Sequence, residues 1–197
     1  MFQYPTQEEI SQYRPKPFYY ITTNDPDQLR YADFLDSLGI LKNQGYGGIV
    51  VFNRPPLGFT REEYLADPWF AMIENIIRAC RDLELKLWIN DSYDAPPGDV
   101  GRRIEKIAPH LKARRLFLEN GTVVVRDVEW GFPAFEEPES SELFIRLVYE
   151  AYKERFGQCF GDPIVGFFSD ADSRKVNWEV LREGNAMRDY FPWCSIF

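Results

Sequence analysis

The stretch "GYGGIVVFN", Gly45 to Asn53, decides how the chain is to be read. Its apolar core, "GGIVVF", does not alternate between apolar and polar residues. A half-exposed strand alternates, whereas a strand buried on both faces of a parallel sheet does not. "NRPPLG" follows and breaks any continuing element. Ahead of it, "DQLRYADFLDSLGILKNQG" carries Leu29, Ala32, Phe34, Leu35, Leu38 and Leu41 at helical spacing, with Asn24 or Asp25 as a candidate cap and Gly45 as the stop. A second helix is predicted from "DPWF", with Asp67 as N-cap, Pro68 as first helical residue, and one apolar face of Met72, Ile73, Ile76, Ile77 and Cys80. Three further runs read as strands: "KPFYYIT" (Lys16 to Thr22), "LKLWI" (Leu85 to Ile89) and "IVGFF" (Ile164 to Phe168). Strands separated by helices imply a parallel sheet with right-handed crossovers. Four βα units make half of an eight-stranded barrel or a small open sheet, and periodicity does not choose between them.

Between the third and fourth of these strands the pattern changes. "NDSYDAPPGDVG" reads as loop, and "DVGRRIEKIAPHL" as a short helix with Asp99 as a possible cap. "RRLFLENGTVVVRDVEW" holds two β-like runs flanking Asn120-Gly121. That dipeptide is a strong hairpin signal, because a type I′ turn needs positive φ at both central positions. "SSELFIRLVYEAYKERFG" is a helix by its spacing, with Ser140 or Ser141 as cap and Gly157 as stop. Another helix is predicted over Asn177 to Arg188, and the chain ends in the aromatic tail "YFPWCSIF".

Composition bounds the function. The chain has 197 residues, 45% of them apolar and 27% charged, which suits one globular domain. Its net charge is -8, and no basic stripe runs along it, which disfavours nucleic acid as a partner. No apolar run approaches the ~20 residues of a membrane span, and the first ten residues lack a signal-peptide core. Three cysteines, Cys80, Cys159 and Cys194, show no metal-type spacing and are odd in number. A reduced, cytoplasmic location is therefore expected. No glycine-rich phosphate loop follows a strand, so no cofactor is expected. The lone histidine, His110, has no nucleophile elbow to serve and reads as a residue near a helix end.

The chemistry gathers where the parallel strands end, since ligands bind at the carboxyl ends in both architectures. Asn53 and Arg54 follow the second strand. Asn90, Asp91, Tyr93 and Asp94 follow the third, and Ser169, Asp170 and Asp172 follow the fourth. Adjacent strands lie roughly 5 Å apart. Asp91 beside Asp170 would then fall in the about 5–9 Å range of paired glycosidase carboxylates, and Asp172, flanking Ala171, could point the same way as Asp170. Trp88 and Tyr93 are candidate platforms for a sugar ring. Three oxygen ligands there would also suit Mg²⁺ or Ca²⁺, but no calcium-loop spacing is present.

Two segments carry a resemblance. "GYGGIVVF", "YLADPWFAMIENIIRACRDLELKLWIND" and "PPGDVG" resemble the amino-terminal half of the catalytic barrel of large glycoside hydrolases, the rhamnosidase-like and related uncharacterised proteins. Trp88, Asp91, Pro96, Gly98 and Gly101 fall on matching positions. "YEAYKERFGQCFGDPIVGFFSDAD" resembles the family's "Y-x-x-Y-x-x-x-F-G-x-x-F-G-x-x-I-x-G-x-F-x-D-E-P", matching at Tyr149, Tyr152, Phe156, Gly157, Phe160, Gly161, Ile164, Gly166, Phe168 and Asp170. The family's glutamate after Asp91 is Ser92 here. The glutamate of "D-E-P", the acid in the family, falls on Ala171, and its proline on Asp172.

The resemblance implies a partial (β/α) barrel, a parallel α/β sheet of about four βα units in sequential order, as one domain over 1–197 with a hairpin insertion at about 113–128. Because alanine donates no proton, the expected function is that of a degenerate or truncated glycoside-hydrolase-like protein, a non-catalytic carbohydrate- or protein-binding module. Asn53, Arg54, Trp88, Asn90, Tyr93 and Asp94 would line its ligand site. The alternative is an active glycoside hydrolase using Asp170 or Asp172 with Asp91. Half a barrel also leaves an apolar face and two strand edges uncovered. Either the tail folds back within the chain or two chains meet, and a homodimer with Phe191, Trp193 and Phe197 in the contact is the expectation.

Overall fold

A computed structural model describes residues 6, 10, 13–94, 98, 100–127, 133–169 and 190–193. In chain order the elements are β1 (Phe18–Ile21), α1 (Tyr31–Asn43), β2 (Gly48–Asn53), α2 (Asp67–Asp82), β3 (Lys86–Asn90), α3 (Arg103–Ile107), β4 (Arg114–Glu119), β5 (Thr122–Asp127), α4 (Pro138–Ile145), α5 (Ala151–Phe156), β6 (Ile164–Phe168) and β7 (Tyr190–Trp193). They group into two compact units. Unit 1 is Met1–Asp91 with Tyr152–Phe168, and unit 2 is Ser92–Ala151 with Ser169–Phe197.

Unit 1 is a four-stranded parallel sheet in the order β1-β2-β3-β6. The sequential order of the four strands is the one the half-barrel expectation carries, and it excludes a doubly wound 2-1-3-4 sheet. All six residues of β2 are buried, as its unbroken apolar run requires. The two faces differ. One carries Tyr19, Ile21, Ile49, Val51, Leu87, Ile89 and Phe167, and the helices cover it. Tyr19 shares a 2.8 Å hydrogen bond with Ser37 of α1 and meets Phe34 of the same helix at 6.3 Å, while Phe167 meets Tyr152 of α5 at 5.3 Å. Within this layer the indole N–H of Trp69 donates to the Tyr152 hydroxyl at 2.7 Å, both residues being buried. The predicted apolar face of α2, Met72 to Cys80, is buried in full.

The opposite face of the sheet is curled inward. Phe18 lies on one edge strand and Phe168 on the other, with two strands between them. Rings rising straight from a flat sheet would stand at least about 14 Å apart over three strand spacings. Their centroids are 5.4 Å apart, and both also touch Phe52, at 4.7 and 5.4 Å. The sheet is therefore concave on this side. Gly166 sits there against Trp88: a Cβ at that position would come within 2.7 Å of the indole ring.

Unit 2 holds an antiparallel sheet in the order β5-β4-β7. The hairpin forms as its dipeptide predicts: Leu116 pairs with Val125 and Glu119 with Thr122, across Asn120 (φ 51°) and Gly121 (φ 78°). Its third strand comes from the aromatic tail, Tyr190–Trp193 running antiparallel to β4. The tail thus pairs with the hairpin inside unit 2. Ile104, Leu111, Leu143, Phe144 and Val148 are buried in this unit, and Phe135 packs edge-on against Phe144 at 5.3 Å.

Several helix starts differ from the sequence reading. Asp25 caps a separate turn, Pro26–Gln28, and α1 begins afresh at Tyr31. Asp67 is the first residue of α2 with Ala66 as the cap, so Pro68 sits second. α4 begins at Pro138 behind Glu137, which places Ser140 inside the first turn, because proline is preorganised for a helix start. Gly157 opens a short 3₁₀ turn instead of reversing the backbone. The predicted helix over 177–188 and the Asp99 cap lie outside the described residues.

Candidate functional site

The concave face of unit 1 is built by alternation. Phe18 and Tyr20 on β1, Val50 and Phe52 on β2, Trp88 and Asn90 on β3, and Gly166 and Phe168 on β6 all stand on this side, as the strand registers require. Val50 and Phe52 are buried. Phe18 remains 49% exposed and Tyr20 47% exposed, so the rings of the edge strand are open to solvent although they touch the cluster. Phe18 and Tyr20 thus leave apolar ring surface open along this edge. Arg54, at the carboxyl end of β2, holds its guanidinium 5.5 Å from the centre of the Tyr20 ring, a cation–π distance. One cation and a run of ring faces thus meet at the carboxyl end of this edge.

The other strand-end residues are placed as follows. Asn53 is buried, and its side chain is committed to the loop that follows. Its amide nitrogen donates to the Phe59 carbonyl at 3.0 Å, and its amide oxygen accepts from the Phe59 N–H at 2.8 Å. The pair ties the return of the loop to the end of β2. Asn90 and Asp91 are buried at the end of β3. Asp91 continues the alternation onto the helix side, the side of Ile89. Burial pushes the Tyr152 phenol far above its ordinary value, and the nearby Asp91 charge adds to that push. Trp88 lines a cleft toward the amino ends of the strands. Tyr93 is buried and Asp94 half-buried, both in unit 2. Asp170 and Asp172 lie outside the described residues.

Phe18, Tyr20, Phe52 and Phe168 were not singled out as site residues from the sequence. The signal for them is two aromatics at period two in "FYY", together with a phenylalanine at or next to the carboxyl end of β2 and of β6. Among the described residues no group of three or more His, Cys, Asp or Glu side chains is placed to hold a metal, and no helix is long and apolar enough to cross a membrane. His110 faces Glu139 at 3.3 Å on an exposed turn of unit 2.

No protein-family model matches this chain, and no curated protein matches it. Among solved structures, a rhamnosidase from Novosphingobium sp. PP1Y is similar with a TM-score of 0.39 and 16% identity, over 54% of this chain and 10% of that one. A likeness of that size, spanning a tenth of the rhamnosidase, carries no activity to this chain.

Proposed function

We propose that the chain is a glycoside-hydrolase-like half-barrel that binds carbohydrate without hydrolysing it. The observation that carries this reading is the half-exposed aromatic face of the concave sheet, with Phe18 and Tyr20 at its open edge and Arg54 beside them. Ring faces take the apolar C–H surface of a pyranose, while the Arg54 guanidinium supplies a hydroxyl partner. The sequential strand order and the inward curl support the half-barrel. Two features favour binding over turnover. Ala171 stands where the resembling family has its acid, and Asp91 is fully buried on the helix side. A general acid or nucleophile must lie within hydrogen-bond reach of the glycosidic bond.

Calorimetric titration with a panel of neutral oligosaccharides, rhamnose-containing ones included, tests the reading alongside assays on aryl glycosides. Binding without hydrolysis is expected, weakened about tenfold by Tyr20→Ala. No binding anywhere in the panel would overturn it. So would hydrolysis that Asp170→Asn or Asp172→Asn abolishes, which would establish the enzyme instead.

A further inference from the structure

We propose that the open edge of β5 in unit 2 is a homodimer contact, pairing antiparallel with β5 of a second copy about a two-fold axis through Val124. Among the described residues β5 ends its sheet, with β4 on one side and no strand on the other. The two-residue turn at Asn120-Gly121 makes Glu119 and Thr122 its closing hydrogen-bonded pair. In an antiparallel ladder such pairs alternate with pairs whose N–H and C=O groups point away from each other. Thr122, Val124 and Arg126 therefore bond to β4, while Val123 and Val125 direct their backbone groups outward. Their side chains are open as well, Val123 at 62% and Val125 at 46% exposure. The usual protections of an edge are missing. The register with β4 runs without a bulge, and "TVVV" holds no proline and no charge. The opposite edge of the sheet, β7, carries Pro192.

The segment fits itself. An axis through Val124 sets Val123 against the partner's Val125 and Val125 against the partner's Val123, and each such pair exchanges both of its backbone hydrogen bonds. Thr122 then meets the partner's Arg126, and Val124 meets its own image. Moving the axis to Val125 would set Val123 against Asp127 and Val124 against Arg126. Moving it to Arg126 would set two guanidinium groups side by side, which is destabilising. The strand's own charges, Arg126 and Asp127, cancel. Each also has a partner within the chain: Arg126 pairs with Glu119 at 2.5 Å, and Asp127 faces Lys112 at 3.6 Å. Two chains of net charge -8 thus meet at a locally neutral strip, where mutual repulsion is least. This edge shares no residue with the concave face of unit 1, so the dimer stands or falls apart from the carbohydrate reading.

Sedimentation equilibrium of the full chain tests it. A strip this short makes a weak dimer, so the mass should rise from 23.2 kDa toward twice that value between roughly 1 and 300 µM. Val123→Lys with Val125→Lys should hold the chain at the monomer mass over the same range with unchanged circular dichroism, because both side chains are already exposed. Val125→Pro should do the same by removing an outward donor while sparing the bonds to β4. In a Cys194→Ser background, with Cys80 and Cys159 buried, Val124→Cys should oxidise to a covalent dimer at least about tenfold faster than Thr122→Cys, since position 124 meets its own image at disulfide distance. A wild-type chain that keeps the monomer mass throughout overturns the proposal and leaves the edge to an extended peptide of another protein. A dimer that survives both edge variants, or equal cross-linking at the two positions, overturns it too.

Discussion

Replacing Gly166 by alanine probes the concave face at its tightest point. The added Cβ would meet three carbons of the Trp88 indole, Cζ3 at 2.7 Å, Cη2 at 2.9 Å and Cε3 at 3.0 Å. Contacts below 3.0 Å do not persist, so the indole or β6 must shift. Forcing one extra carbon into packed surroundings costs about 1–3 kcal/mol. Against that, alanine in a strand recovers roughly 0.5–1 kcal/mol of the chain entropy that glycine loses on folding. The net expected loss is about 1–2 kcal/mol. All three contacts are with the six-membered part of the indole, which leucine lacks. In a Trp88→Leu background the same Gly166→Ala change should therefore lose its penalty and stabilise by about 0.5 kcal/mol, a coupling near 2 kcal/mol. Urea unfolding followed by far-ultraviolet circular dichroism measures all four corners of the cycle. Equal costs in both backgrounds, or no cost in the single variant, would refute the reasoning.

Asn53→Ala should lose about 2–4 kcal/mol, since it leaves both the Phe59 N–H and carbonyl without their partner in a buried turn; a denaturation midpoint shift reads this. Gly121→Val should cost more than about 1 kcal/mol at φ 78°, whereas Gly39→Ala, with open space around it in α1, should gain about 0.5–1 kcal/mol. Cys80 is buried, and burial pushes its thiol up to about 12; iodoacetamide at pH 8 should leave it unlabelled until the chain is unfolded, as peptide mass mapping would show. The Asp162 carboxyl is held below its ordinary value by the Lys86 hydrogen bond, and Glu63 by the Thr60 N–H and then Asn24. Depressed carboxylates stabilise above their unfolded pKa values of about 4 and lose that contribution as pH falls through the lower native ones. Thermal stability should drop below about pH 4, and Glu63→Gln should flatten the acid limb.

The parallel layer was legible because its signal is local. "GGIVVF" has no polar residue to turn toward water, and the apolar face of α2 repeats at helical spacing within one segment. Asn120-Gly121 announced its turn for the same reason, since positive φ is a property of those two residues. The site was less legible because its placement depends on partners distant in the chain. Asn53 looks like a strand-end ligand until Phe59 returns to it. Trp88 is directed toward the amino-end cleft in part because Gly166, from another strand, leaves room for the ring. Asp91 belongs to the helix side by a parity that depends on where β3 begins. Asp25 caps a helical turn, as its type suggests, but Leu29 and Arg30 interrupt that turn before α1 begins.

Unit 1 is assembled from two separate stretches of chain, and unit 2 from the two that alternate with them. The gene therefore cannot be cut once to yield either unit whole. A product ending at Asp91 would keep three strands but leave β3 with a bare edge, where the Leu87 N–H now reaches the Pro163 carbonyl and the Asp91 N–H the Phe168 carbonyl. On the ribosome, those first three strands emerge well before the fourth. Their exposed edge waits for synthesis to reach Phe168, and premature pairing with another nascent chain is the hazard of that interval. Slow codons between Asn90 and Ile164 would lengthen that interval, and a bound chaperone would shield the edge through it.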